Sequence, residues 1–178
     1  MTPDCRFLQR ATPEEAGPRI VAMFLTEFIP GVATEYGLLK EASGSSMKME
    51  IGEFQMDVLI FSLHCLDRTV LANFGAEYRR VFMDHALSFV CGAFSSVLPK
   101  NAQEGFSTGF EKHYRTRQCE YSAMMLPLAD NSPKGTLFYE YAVRLCRDAG
   151  VDNPVAVQLM MEEAFAIFKM MDAVTQTL

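Results

Sequence analysis

Signals for membrane insertion, secretion and disulfide stapling are missing from this sequence. Its longest uncharged run, Ala86 to Pro99, has 14 residues, short of the ~20 that a membrane helix needs. The stretch Met1 to Arg10 carries Asp4, Arg6 and Arg10 and has no apolar core of the kind a secretory signal contains. The five cysteines, Cys5, Cys65, Cys91, Cys119 and Cys146, are odd in number, far apart and without a Cys-x-x-Cys pair. That spacing fits neither a disulfide framework nor a zinc-ligand pattern. We read Cys65, Cys91, Cys119 and Cys146 as one small core residue per helix, and expect a cytoplasmic protein with no membrane association. Positive charge is also short. Sixteen Lys+Arg against 22 Asp+Glu leave −6, the wrong sign for a general nucleic-acid binder.

Common catalytic signatures are lacking as well. The chain contains no glycine-rich phosphate loop, Gly-x-Ser-x-Gly, His-Glu-x-x-His or EF-hand loop, the motifs that mark phosphate, nucleophile and metal chemistry. The paired Glu-x-x-His of di-iron bundles is absent too. There is no internal repeat, and no run of strand-period alternation closed by hairpin turns.

What is present is helical. The 178 residues are 49% apolar and 21% charged, enough for one domain whose core buries roughly 70% of the unfolded surface. We expect a single all-α domain over 1–178, a bundle of five to seven helices, with residues 1–12 as a disordered tail. Thr12-Pro13-Glu14-Glu15 reads as a capping box with proline at the first helical position. Gly17-Pro18 should interrupt that turn, with a helix restarting near Pro18 and stopping at Pro30-Gly31. A weaker helix is expected over 33–42. From Glu53 to Asn73 the apolar residues go nearly all the way round a helix, which predicts a central position. Gly75 should end it. Further helices are expected from about Glu77 to Val97 and over 104–124. Ser132-Pro133 should start another, ending at Gly150, and Asp152-Asn153-Pro154 the last, reaching Val174. Residues 53–124 should form an antiparallel core with the C-terminal helices packed across it.

The central helix carries an anomaly. Asp57, His64, Asp67 and Arg68 lie roughly on one side of an apolar surface, and buried charges must be paired. A structural network follows, with Asp57 and Asp67 or Asp84 compensated by Arg68 or Arg80. A reversal at Asn73 to Ala76 would set residues level when their numbers sum to about 149. His64 would then meet Asp84 and His85, and a second reversal would bring Glu120 to the same layer. His64, Asp84, His85 and Glu120 are thus a candidate ligand set for Zn, Fe or Mn, although we expect the network and no cofactor.

Two surface features remain. Lys112, His113, Arg115 and Arg117 form the one basic concentration, a candidate patch for a small anionic ligand or an acidic protein partner. The last helix is apolar on more than one face, with Phe165, Phe168 and Met171 as candidate interface residues for a homodimer. The expected function is non-enzymatic: a helical binding or interaction protein that self-associates, with a helix-bundle metalloprotein (a hydrolase or oxidoreductase centred on His64) as the alternative.

Overall fold

Residues 11–43, 47–126 and 134–178 are described by a computed structural model, and six α-helices with no strand occur among them. They are α1 (Pro13–Met23), α2 (Ala33–Ser43), α3 (Ile51–Val97), α4 (Lys100–Ser122), α5 (Leu137–Asp148) and α6 (Pro154–Thr175). A π-helical turn, Phe24–Phe28, continues α1. The expected tail over 1–12 falls largely outside the described residues, which begin at 11. Ser132-Pro133 lie outside them too, but residues 134–136 are not helical and α5 starts only at Leu137, with Thr136 as its N-cap, so the helix does not begin at Pro133 as expected. No helix among the described residues is long and apolar enough to cross a membrane.

The first arm of α3 is the centre of the molecule. Every residue from Asp57 to Leu66, and Asp67 after it, is buried, so three turns of this helix are enclosed on all sides. Gly75 then takes φ 82° and ψ 178°, a region essentially reserved for glycine, and the chain reverses there. Arg79 donates to Asp67 at 2.7 and 2.8 Å. In a straight helix twelve residues would hold them ~18 Å apart along the axis. A second reversal at Leu98-Pro99 returns the chain as α4, and Phe94 stacks on Phe106 at 5.2 Å. The first arm, the second arm and α4 therefore run up, down and up, the antiparallel core expected for 53–124. The helix after Pro99 begins at Lys100, four residues earlier than the sequence suggested, because a proline at the N-cap leaves no unmet N–H there.

The outer helices close this core. Asn153 caps α6 by accepting from the Val155 N–H at 2.9 Å, as its sequence signal implies. Phe138 of α5 packs on Phe165 and Phe168 of α6. At its far end α6 reaches α3, where Asn73 Nδ2 donates to Thr175 Oγ1 at 3.2 Å. Of the cysteines, Cys65 and Cys146 are core residues, but Cys91 is only half-buried and Cys119 is exposed. The one-core-cysteine-per-helix reading therefore holds for two of the four.

α1 departs from its expected form. It runs without interruption through Gly17-Pro18, and Thr12 makes no side-chain cap bond. One proline near a helix start forfeits a single backbone bond, and packing offsets it. A Cβ on Gly17 would lie 2.6 Å from the Phe82 carbonyl oxygen, so α1 sits directly on the backbone of the second arm of α3. Gly17→Ala should therefore cost roughly 1–3 kcal/mol through overpacking. Gly37→Ala, with open space around it, should stabilise by up to about 1 kcal/mol. Urea unfolding of the two variants, read as midpoints at constant slope, checks the contrast.

Candidate functional site

Two buried aspartates on the first arm of α3 organise the polar interior. Asp67, 3% exposed, receives the bidentate Arg79 pair and a bond from Gln118 Nε2. Because the Gln118 amide nitrogen is committed to Asp67, its oxygen faces His64 Nδ1 at 2.6 Å, and Nδ1 must carry the proton. His64 Nε2 is then a bare acceptor, sealed from solvent and without a partner. Burial is the main reason that the His64 pKa lies below its ordinary value, and the nearby Arg68 and Arg79 lower it further against Gln118 and Asp67.

The second aspartate, Asp57, lies about three turns earlier. Arg144 Nη1 of α5 serves both its oxygens, at 3.2 and 3.3 Å, and also reaches Asp148 at 3.1 Å. The other Arg144 nitrogen, Nη2, donates to the Tyr121 hydroxyl, and its guanidinium lies over the Tyr121 and Tyr141 rings. Below it Phe61 stacks on Tyr141 at 3.9 Å. Arg117 of α4 approaches Asp57 at 4.0 Å, Asp148 at 3.5 Å and Glu120 at 2.8 Å. His113 Nε2 stands 3.8 Å from Asp57. Burial raises the pKa of both tyrosines, which stay neutral.

Asp57 also opens onto a cleft of about 620 Å³ between the first arm of α3 and α4. Gly52, Glu53, Met56, Asp57 and Ile60 form one wall, and Gly105, Phe106, Gly109, Phe110 and His113 form the other. Met49 and Asp148 complete the lining. Each wall repeats at helical spacing, so each is one face of its helix. A slightly larger cleft, about 690 Å³, lies between α5 and α6 around Tyr139, Val143 and Met161. Cys146, Arg147, Asp152 and Asn153 are among its lining residues, but the buried Asp57 network borders only the cleft between α3 and α4.

The residues singled out by sequence are distributed differently from expectation. His64, Asp84, His85 and Glu120 do not gather. His64 is buried against Gln118, while Asp84, His85 and Glu120 are exposed. Asp84 lies toward Tyr114 and Arg115 in a groove, its neighbour His85 lies near Glu14 of α1, and Glu120 pairs with Arg117. Among the described residues no three His, Cys, Asp or Glu side chains are placed to hold a metal ion. The network forms with other partners: Asp67 takes Arg79 where Arg68 or Arg80 was expected. Arg68 donates to the Met124 carbonyl oxygen, and Arg80 makes an exposed pair with Glu77. Residues 79 and 80 point ~100° apart on a helix, which decides between them. The basic run divides: Arg117 and His113 turn toward Asp57, whereas Lys112 is exposed and Arg115 pairs with Glu111 at the surface. Of the interface candidates, Met171 is a core residue at 2% exposure, Phe168 is half-buried, and Phe165 is exposed beneath Lys169. Gln118, Arg144 and Asp148 complete the network without having stood out in the sequence. Gln118 has no charge to flag it, and the others sit among several equivalent ionic residues.

Comparison with protein-family models, curated proteins and solved structures finds no match to this chain. Its function is argued from the site alone.

Two predictions follow from these placements. In the folded protein His64 resists protonation, while in the unfolded chain it takes a proton near its ordinary pKa of about 6.5. The unfolded state thus binds more protons as pH falls from about 7 to about 5, and stability declines over that range. His64→Leu should flatten this slope in unfolding experiments across pH, although it costs roughly 1–3 kcal/mol by stranding Gln118. Met171→Glu should unfold the chain, since it buries an unpaired carboxylate. Phe165→Glu should leave the circular dichroism spectrum unchanged.

Proposed function

We propose that this chain is a helical binding protein, not an enzyme, and that it takes a small ligand in the cleft between the first arm of α3 and α4. The observation that carries this reading is the set of glycines on the two walls. Gly52, Gly105 and Gly109 are all helical, and each such glycine costs a helix roughly 0.5–1 kcal/mol relative to alanine. An added Cβ at any of the three would meet nothing within 4 Å. Neither close packing nor a turn requires them. Their effect is to leave open a space that side chains would fill.

The remaining walls suit a ligand. Met56, Ile60, Phe106 and Phe110 are apolar, and Asp57, His113 and Asp148 converge at one end. A mostly apolar concavity with a few placed polar groups is the usual form of a small-molecule site, and the volume lies within the common range of roughly 300–1,000 Å³. The buried ion pairs support it by holding α3, α4 and α5 at fixed separation before any ligand arrives. Self-association has a narrower base. Met171 lies in the core and Lys169 over Phe165 at 4.4 Å, which leaves Val155 and Phe165 as the exposed large apolar residues of α6 that a second copy could cover.

The reading predicts a trade of binding for stability. Gly109→Leu should fold, gain about 0.8 kcal/mol from helix propensity, and lose binding of an apolar environment-sensitive dye that the unmodified protein takes up. Equal dye uptake by both proteins would overturn the assignment of the cleft.

A further inference from the structure

We infer that the ligand of this cleft is an uncharged apolar molecule, held between α3 and α4 beside an ionic cluster whose charges already cancel. The inference rests on the binding reading above and adds the ligand's chemistry. It starts from the polar end of the cleft, where Asp57 and Asp148 reach the wall. Arg144 Nη1 serves both oxygens of Asp57, at 3.2 and 3.3 Å, and Asp148 at 3.1 Å. Arg117 stands 3.5 Å from Asp148 and 2.8 Å from Glu120, and Arg147 lies 3.4 Å from Asp148. Asp57, Asp148 and Glu120 thus meet Arg117, Arg144 and Arg147, one guanidinium for each carboxylate. His113 adds a partner for Asp57 at 3.8 Å when it is protonated.

This cluster keeps no charge of either sign in reserve for a ligand. The third carboxylate of the lining, Glu53, is committed elsewhere. It accepts the Glu50 backbone N–H at 3.1 Å and so caps the start of α3, where a negative charge is favoured. The Nε atoms that Arg117 and Arg144 leave unpartnered are sealed from solvent, and neither arginine lines the cleft, so an anion finds no donor in them. The rest of the wall is apolar, chiefly Met56, Ile60, Phe106 and Phe110. The Phe106 and Phe110 rings lie 15° from parallel with centroids 6.0 Å apart, a smooth face on the α4 side. A charged ligand would surrender its water to these walls and gain no partner, which is the costly way to bury an ion. An uncharged one gives up little hydration and is stabilised by the apolar area it covers.

The test titrates naphthol, aminomethylnaphthalene and naphthoate into the full chain at neutral pH by isothermal titration calorimetry. Their rigid double ring denies the charged group a long flexible stem on which to reach back to water. Naphthol should bind roughly tenfold more tightly than either charged probe, the scale of one unmet polar group. Two variants then unbalance the cluster in opposite directions. Asp148→Asn leaves a guanidinium in excess and should tighten naphthoate several-fold. Arg117→Gln leaves a carboxylate in excess and should do the same for aminomethylnaphthalene. Both are checked for folding by circular dichroism, and Asp148→Asn decides alone if the more enclosed Arg117 cannot be replaced. Naphthol should bind both variants as it binds the unmodified protein. If a charged probe matches naphthol, or the unbalanced variants leave their ions as weak as before, the ligand class is wrong while the cleft stands as a binding site. If none of the three binds the unmodified protein, or naphthol binding survives Gly109→Leu, the binding reading falls and the ligand class with it.

Discussion

Carboxylates withdrawn from water must be compensated, and the helix that carries two of them is the most enclosed element of this protein. Asp57 and Asp67 sit at either end of the three buried turns of α3. An unpaired charge at either place would cost several kcal/mol, so each draws in donors from the helices around it. Asp67 fastens the second arm of α3 through Arg79 and α4 through Gln118. Asp57 gathers α5 through Arg144 and α4 through Arg117 and His113. These few bonds lock the relative heights of the central helices. Apolar packing alone, being non-directional, would permit neighbouring registers.

That locking is what makes a cleft compatible with a stable fold. Where Gln118 meets His64 the first arm and α4 are joined. Nearer their N-terminal ends the glycines of both walls leave a gap. In a bundle held by hydrophobic contacts alone, such a gap would tend to collapse by a small shift of one helix. With Asp57 tied to α5 and Asp67 to the second arm, the shift would break buried ion pairs. The network and the cleft are in this sense one construction, and Asp57 belongs to both.

Much of the architecture was legible because its signals are local. The all-round apolar character of 53–73 marked the central helix, Gly75 marked the reversal, and Asn153-Pro154 marked the start of α6. The anomaly of charged residues on that central helix was also visible, and Asp57, His64 and Asp67 are buried as polar residues on such a helix must be. Gly17-Pro18 misled for the converse reason. Proline's local preference argued for a break, but the approach of α1 to the Phe82 carbonyl is a long-range contact that no local pattern reports.

By itself, then, the sequence determined the helical class, most element boundaries and the fact that ionisable groups would be enclosed, since helical period and capping are properties of neighbours along the chain. Only the tertiary structure decided which partners they meet. Arg79 and not Arg80 reaches Asp67, because adjacent residues point ~100° apart and the level of one arm against the other differs by about a turn from the simplest hairpin. His64 meets Gln118 and not Glu120 for the same reason. The cleft too is a tertiary property: Gly52 and Gly109 are far apart in sequence, and their missing side chains become one space only after two reversals set their helices side by side.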